Sequence, residues 1–160
     1  KKLNGNVDTR LNKLEANQWD GIITAAAAMH RLNLKSKITQ YLDPLCFVPA
    51  GGQGALGIEI LSDSNILSLG ITNIIDRTTT KCCKAERLYL REMNAGCNTT
   101  IGCWARLDQN KFKITAYAAS NDGAKVIKKT LIGKLSNYKN ITIDLAKLMI
   151  SLGAKEIINC

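Results

Sequence analysis

The residues best suited to chemistry here are six cysteines, at positions 46, 82, 83, 97, 103 and 160. No pair has the C-x-x-C spacing of a zinc or redox site, and His30 is the only histidine. A Cys/His metal cluster therefore lacks parts, and no metal is expected. An even cysteine count permits disulfides, but nothing in the chain points to a secretory route, so reduced thiols in a cytosol-like compartment are expected. Taken on its own residues, Cys97 reads as a small buried apolar thiol. Arg10 and Arg31 likewise read as exposed helix arginines. Pro49-Ala50-Gly51-Gly52-Gln53-Gly54 is glycine-rich but carries neither the lysine of a P-loop nor the dinucleotide-binding spacing. It reads as a hinge where backbone passes close to a ligand or another strand. Lys and Arg exceed Asp and Glu by 22 to 13, a net charge of +9. Such an excess favours an anionic partner or, more plainly, a solvated basic surface. Aromatic residues are only 5% and do not interleave with basic ones, so no stacking platform for single-stranded nucleic acid is visible.

The elements that must position these residues follow from periodicity. Leu3, Val7, Leu11 and Leu14 draw one helical stripe, with Asp8 and Thr9 as capping residues near its start. Ile22-Ile23-Thr24-Ala25-Ala26 suits a buried parallel strand. A second helix follows, with Met29, Leu32 and Ile38 inward. Beyond the glycine-rich crossing, residues 55–60 read as a strand, and Ser62-Asp63-Ser64 caps a short helix after it. Lys84 to Met93 is helical, with Ala85, Leu88 and Met93 inward and charges between them, and it stops at Asn94-Ala95-Gly96. The period then becomes two. Ile101, Cys103 and Ala105 alternate, Asp108-Gln109-Asn110 turns, and Phe112, Ile114, Ala116 and Ala118 alternate again. Asn121-Asp122-Gly123 makes a second turn, Val126 to Ile132 a third strand, and Ile141, Leu145, Leu148, Met149 and Leu152 a helix face closed by Gly153. The first part is α/β with too few strands to cover its faces; the second is a compact α+β unit. No segment is apolar for the length of a membrane span, and residues 1–10 carry no apolar signal core.

Four segments together resemble the hydroxymethylbilane synthase (porphobilinogen deaminase) family. GNVDTRLNKLE at 5–15 is similar to its GNVDTRL stretch, and WDGIITAAAAMHRL at 19–32 to its YDAIILAxAGLxRL. FVPAGGQGALGIE at 47–59 resembles LPAxGQGALGIE, and KAERLYLREMNAGCNTTIG at 84–102 resembles AERxFLxxLxGGCxxPIG. The likeness covers almost the whole chain and matches the C-terminal half of the family. It implies partial periplasmic-binding-protein-like domains followed by a small α+β domain with a three-stranded antiparallel sheet and flanking helices. On that pattern residues 1–54 are the latter part of domain 2, which binds cofactor and substrate carboxylates. Residues 55–75 are the return segment of domain 1, and 76–160 are domain 3.

The implied reaction condenses four porphobilinogens head to tail on a cysteine-linked dipyrromethane primer, losing ammonia each time, then releases linear hydroxymethylbilane by hydrolysis. The matching cysteine is Cys97. A thiolate is a good nucleophile for the azafulvene left when ammonia departs, and a loop after Gly96 gives a bulky adduct room. Arg10 and Arg31 match family arginines that bind pyrrole carboxylates through a planar fork. Ala28, Gln53 and Gly54 match positions near the cofactor. The family has Arg where this chain has Asn4, Gly at Ala28 and Pro at Thr100. Its catalytic Asp belongs to the N-terminal half, so no catalytic residue is assigned here and the chain alone is expected to be inactive. The implied partners are porphobilinogen and the N-terminal half of the same enzyme, with no nucleic acid and no membrane. The parent is expected to be a monomer, the isolated chain is able to self-associate, and the compartment is cytoplasmic, or plastid if an upstream targeting segment exists. The rival reading is a basic ligand- or nucleic-acid-binding module without catalysis.

Overall fold

A computed structural model describes residues 4–16, 19–64, 70–96 and 99–158. The chain divides into two compact units, Lys1–Asp43 and Pro44–Cys160.

In the first unit, helix α1 spans Val7–Glu15 and turns Leu11 into the interior. Its cap is Asn6, not Asp8 or Thr9: the Asn6 side chain accepts from Thr9 N–H at 2.8 Å. Asp8 instead sits in the first turn, where its charge favours the helix dipole. Helix α2 is short, Ala26–Arg31, and buries Met29. It ends because Asn33 adopts a left-handed φ of 57°, while Leu34 N–H returns to Met29 O at 2.8 Å and Asn33 N–H to His30 O at 3.1 Å. That pair of bonds is a Schellman closure. It leaves Leu32 47% exposed rather than inward. The strand expected at 22–26 is absent. Residues 21–25 belong to no ladder, and Ile23 is 79% exposed. Extended backbone becomes strand only when a neighbour takes its N–H and C=O groups, and the described residues of this unit supply none. The α/β layering expected of the first part is thus not formed by its described residues.

The second unit carries the core. Helix α3 runs Arg77–Glu92, starting seven residues before the expected Lys84, because Asp76 caps it by accepting from Thr79 N–H at 2.8 Å. Strands β1 (Ile101–Asp108), β2 (Lys111–Ala119) and β3 (Val126–Gly133) form one antiparallel sheet in the order β1-β2-β3. Asp108 pairs with Lys111 across a two-residue turn. Gln109 and Asn110 both have positive φ, 48° and 60°, as a type I′ hairpin requires. Helix α4 (Tyr138–Ser151) and a short α5 (Ala154–Ile158), which periodicity did not anticipate, complete the unit. Helices α3 and α4 pack on each other and on one face of the sheet. Between them lie Tyr89, Phe112, Ile114, Leu145 and Met149, all fully buried. Each such side chain contributes about 1.5–3 kcal/mol of burial. Leu88 and Leu148 are only half-buried, and Leu152 is 43% exposed. The strand expected at 55–60 is again missing, with Leu56 82% exposed and no partner strand among the described residues. The helix expected after Ser62-Asp63-Ser64 falls on 65–69, outside the described residues.

Candidate cofactor-binding site

Cys97 lies outside the described residues, but the residues on either side of it, up to Gly96 and from Thr99, are described. On the helix side, Asn94 takes φ 53°, Ala95 N–H returns to Leu90 O and Asn94 N–H to Arg91 O, each at 3.0 Å. This Schellman closure stops α3 where the Asn-Ala-Gly signal predicts. On the strand side, Thr99 N–H and Oγ1 both donate to Gly96 O, at 3.2 and 2.6 Å. Thr100 Oγ1 donates to Asn121 Oδ1 at 3.0 Å, and Ala119 N–H to Thr100 O at 3.0 Å. Thr100, where the family has proline, therefore ties the loop to the β2–β3 turn. A Cβ built on Gly96 would meet nothing within 4 Å, so the shoulder has open space beside it.

The thiols at 82, 83 and 103 resist ionisation. Burial pushes Cys82 up to about 11, raises Cys83, and holds Cys103, on the core side of β1, well above the ordinary thiol value. The nearby Glu86 carboxylate adds to each shift. A thiol that resists ionisation makes little of the reactive thiolate.

The glycine-rich crossing packs directly on this frame. Cys103 N–H donates to Pro49 O at 2.9 Å, and a Cβ on Gly102 would sit 2.6 Å from Val48 O. Only glycine lets the two backbones approach this closely. Gly52 and Gly54 hold positive φ of 83° and 75°. Gln53 and Gly54 are exposed, with open space beside Gly54. The close approach is to a strand, as one of the two readings of this segment had it.

One functional candidate escaped the sequence reading. Glu86 is only 4% exposed, and its two oxygens are both used: Oε2 accepts from Gly52 N–H at 2.7 Å and Oε1 from Ala105 N–H at 2.8 Å. Burial raises its pKa, and these two hydrogen bonds oppose the rise. The signal was present in the spacing. Cys82, Glu86, Tyr89 and Met93 fall at steps of four, three and four, in phase with the buried stripe of α3.

Arg10, Ala28 and Arg31 belong to the first unit. Arg10 is half-buried on α1, and its Nε donates to Gly5 O at 2.9 Å, which leaves the terminal nitrogens for another acceptor. Ala28 and Arg31 are three residues apart and share a face of α2. Arg31 is exposed in the last turn. The unit also contains a cleft of about 560 Å³, lined by Leu11, Leu14, Ile22 and Met29 together with the polar Asp20, Lys37 and Gln40. Arg10, Ala28 and Arg31 are not among its lining residues, so the arginines and the cleft are separate features. His30 is satisfied by Tyr41, Nε2 to hydroxyl at 2.7 Å. Among the described residues no three His, Cys, Asp or Glu side chains are placed to hold a metal ion.

Two family models match the chain in succession. Residues 1–68 match "Porphobilinogen deaminase, dipyromethane cofactor binding domain", and residues 80–151 match "Porphobilinogen deaminase, C-terminal domain". The chain belongs to the porphobilinogen deaminase family. Curated relatives bearing that name include those of Alkaliphilus metalliredigens, 40% identical over 98% of this chain and 49% of the relative, and Prochlorococcus marinus, 41% over 99% and 50%. The relative from Staphylococcus carnosus is 40% identical over 99% of this chain and 52% of its own length. The chain thus spans about half the length of the porphobilinogen deaminases it matches. The Cys97 loop and Glu86 fall inside the C-terminal-domain match, and Arg10, Ala28, Arg31, Gln53 and Gly54 inside the cofactor-binding-domain match. Within the second unit, the backbone beside Gly96 and Gly54 is open, which leaves room for a bulky group such as a dipyrromethane. No helix among the described residues is long and apolar enough to cross a membrane.

Proposed function

We propose that this chain supplies the cofactor-holding portion of a hydroxymethylbilane synthase, in which Cys97 carries a dipyrromethane through a thioether. The observation that carries the reading is the succession of the two family matches, with the Cys97 motif inside the second. When bound, the dipyrromethane supplies the pyrrole terminus on which four porphobilinogens condense. The chain's own residues bind and orient. Arg10 and Arg31 present guanidinium forks to the acetate and propionate groups of the pyrroles, with Arg10 aimed by its Nε bond to Gly5. Gln53 and Gly54 of the glycine-rich crossing and Ala28 of helix α2 border the cofactor. Residues 1–54 act as the latter part of domain 2, 55–75 as the return segment of a periplasmic-binding-protein-like domain 1, and 76–160 as domain 3. The carboxylate that assists condensation comes from the other half of the enzyme, so residues 1–160 alone do not turn over. The parent is a monomer of the cytoplasm, where its thiols stay reduced.

The test is mass spectrometry on the parent enzyme under denaturing conditions. Wild type should exceed its chain mass by two porphobilinogens less two ammonia, with the increment on the peptide holding Cys97. Cys97→Ser should lack it and lose turnover. An adduct mapped to Cys46, Cys82, Cys83 or Cys103 would refute the assignment, as would steady porphobilinogen consumption by residues 1–160 without a partner.

A further inference from the structure

Strand β1 is an edge strand of its sheet, so the N–H groups of alternate residues point away from β2 to a margin where no further strand lies among the described residues. Cys103 N–H finds the Pro49 carbonyl of the glycine-rich crossing. Two residues on, the crossing has turned away, and Ala105 N–H is met by Glu86 Oε1 at 2.8 Å. The second oxygen of the same carboxylate takes Gly52 N–H at 2.7 Å, just after the crossing leaves the sheet edge. One side chain on α3 thus stands in for the missing strand and ties down the loop that departs from it. The approach is tight, since a Cβ on Gly51 would come within 2.8 Å of Leu90 on the same helix. No solvent-facing task explains this arrangement. A buried carboxylate is costly, and a neutral side chain would suit mere packing better.

We propose that Glu86 is a positioning residue that locks Gln53–Gly54 to the helix whose C-terminal end carries the Cys97 loop. Glu86, Gly52, Gly96 and Thr99 all connect through α3 and β1, so the residues that flank Cys97 and the crossing share one frame. The carboxylate is matched to this task because both its oxygens accept. A carboxamide of the same shape presents one acceptor and one donor, and its donor must face one of the two backbone N–H groups. This inference rests on the functional reading above only for what the frame is for; the lock itself is independent of it.

The experiment uses the parent enzyme with Glu86→Gln. Hydrogen exchange is followed in peptides covering 49–54, 101–107 and 111–119, beside the adduct mass on Cys97 and the kinetics of porphobilinogen consumption. Exchange in 49–54 should rise about tenfold or more while 111–119 stays unchanged, since a single lost anchor opens the crossing without opening the core. The adduct should persist, and kcat should fall about tenfold with KM nearly unchanged, the pattern of misplacement rather than lost substrate binding. Glu86→Asp keeps both acceptors on a shorter arm and should recover part of both readouts. It also replaces the carboxamide variant should that one fail to fold. Unchanged exchange in 49–54, or a uniform rise across all three peptides, overturns the lock. A freed crossing with wild-type kcat overturns its positioning role. Absence of any adduct in wild type would instead refute the functional reading, while the contrast in exchange still decides the lock.

Discussion

Tyr89 offers a direct test of how the core of the second unit is built. Its ring is fully buried between α3 and the sheet, and its hydroxyl has no hydrogen-bond partner among the described residues. Desolvation, with Cys103 nearby, holds the phenol well above its ordinary titration range. A hydroxyl buried without a partner costs about 1–3 kcal/mol. Tyr89→Phe keeps the ring and removes only the oxygen, leaving a void of roughly 10 Å³ worth about 0.2 kcal/mol at the usual cavity cost. The variant should therefore be more stable by about 1 kcal/mol or more. Urea unfolding followed by Trp104 fluorescence would register a midpoint shift of about 0.3–1 M at unchanged slope. The family motif at this position carries phenylalanine, so the replacement asks nothing new of the backbone. A loss of about 1 kcal/mol instead would mean the hydroxyl is satisfied, by a buried water for example, and the accounting would be wrong.

Other outcomes follow from the same geometry. Gly102→Ala places a methyl 2.6 Å from Val48 O and 3.0 Å from Pro49 O, both backbone, so it should cost about 1–3 kcal/mol and speed exchange at the Cys103 amide. Glu86 titrates higher in the folded chain than its ordinary 4.5, so its contribution to stability is complete below that pH and is lost as pH rises through the folded value. Wild type should accordingly lose stability relative to Glu86→Gln across that interval in pH-dependent urea unfolding; parallel curves would deny the shift. In the parent enzyme, Arg31→Lys keeps the charge but loses the fork, so partly extended enzyme–pyrrole complexes should accumulate on native gels. Lys147→Ala, exposed on α4, should leave elongation within about twofold, as surface changes usually do. Normal elongation by Arg31→Lys would remove that residue from the site.

The elements legible in the sequence are those whose partners are also in it. The β1–β2 hairpin could be read from alternation and a turn because Phe112, Ile114, Ala116 and Ala118 all face helices of the same unit, and each is fully buried. Its Gln-Asn turn was readable for a local reason, tolerance of positive φ. Residues 22–26 and 55–60 have equally apolar sequences and form no strand, since periodicity reports what a segment would bury and not whether a neighbour is there to accept its backbone. Short-range competition explains the smaller misses. Asn6 outcompeted Asp8 as a cap because its side chain reaches Thr9 N–H, and α5 is too short to show a period. Glu86 failed to register for a different reason. Charged side chains usually face outward, but the phase of Glu86 with Cys82, Tyr89 and Met93 sets it inward. A charged residue in phase with a buried stripe has to be paired, and here the partners are two backbone amides that no side-chain pattern announces. The same logic bears on the arginines. Arg31 is exposed at the end of α2, and half-buried Arg10 bonds to backbone at Gly5, so neither side chain reports its ligand. Their assignment rests on the motifs, which makes Arg31→Lys the sharper test of the site than any change in the core.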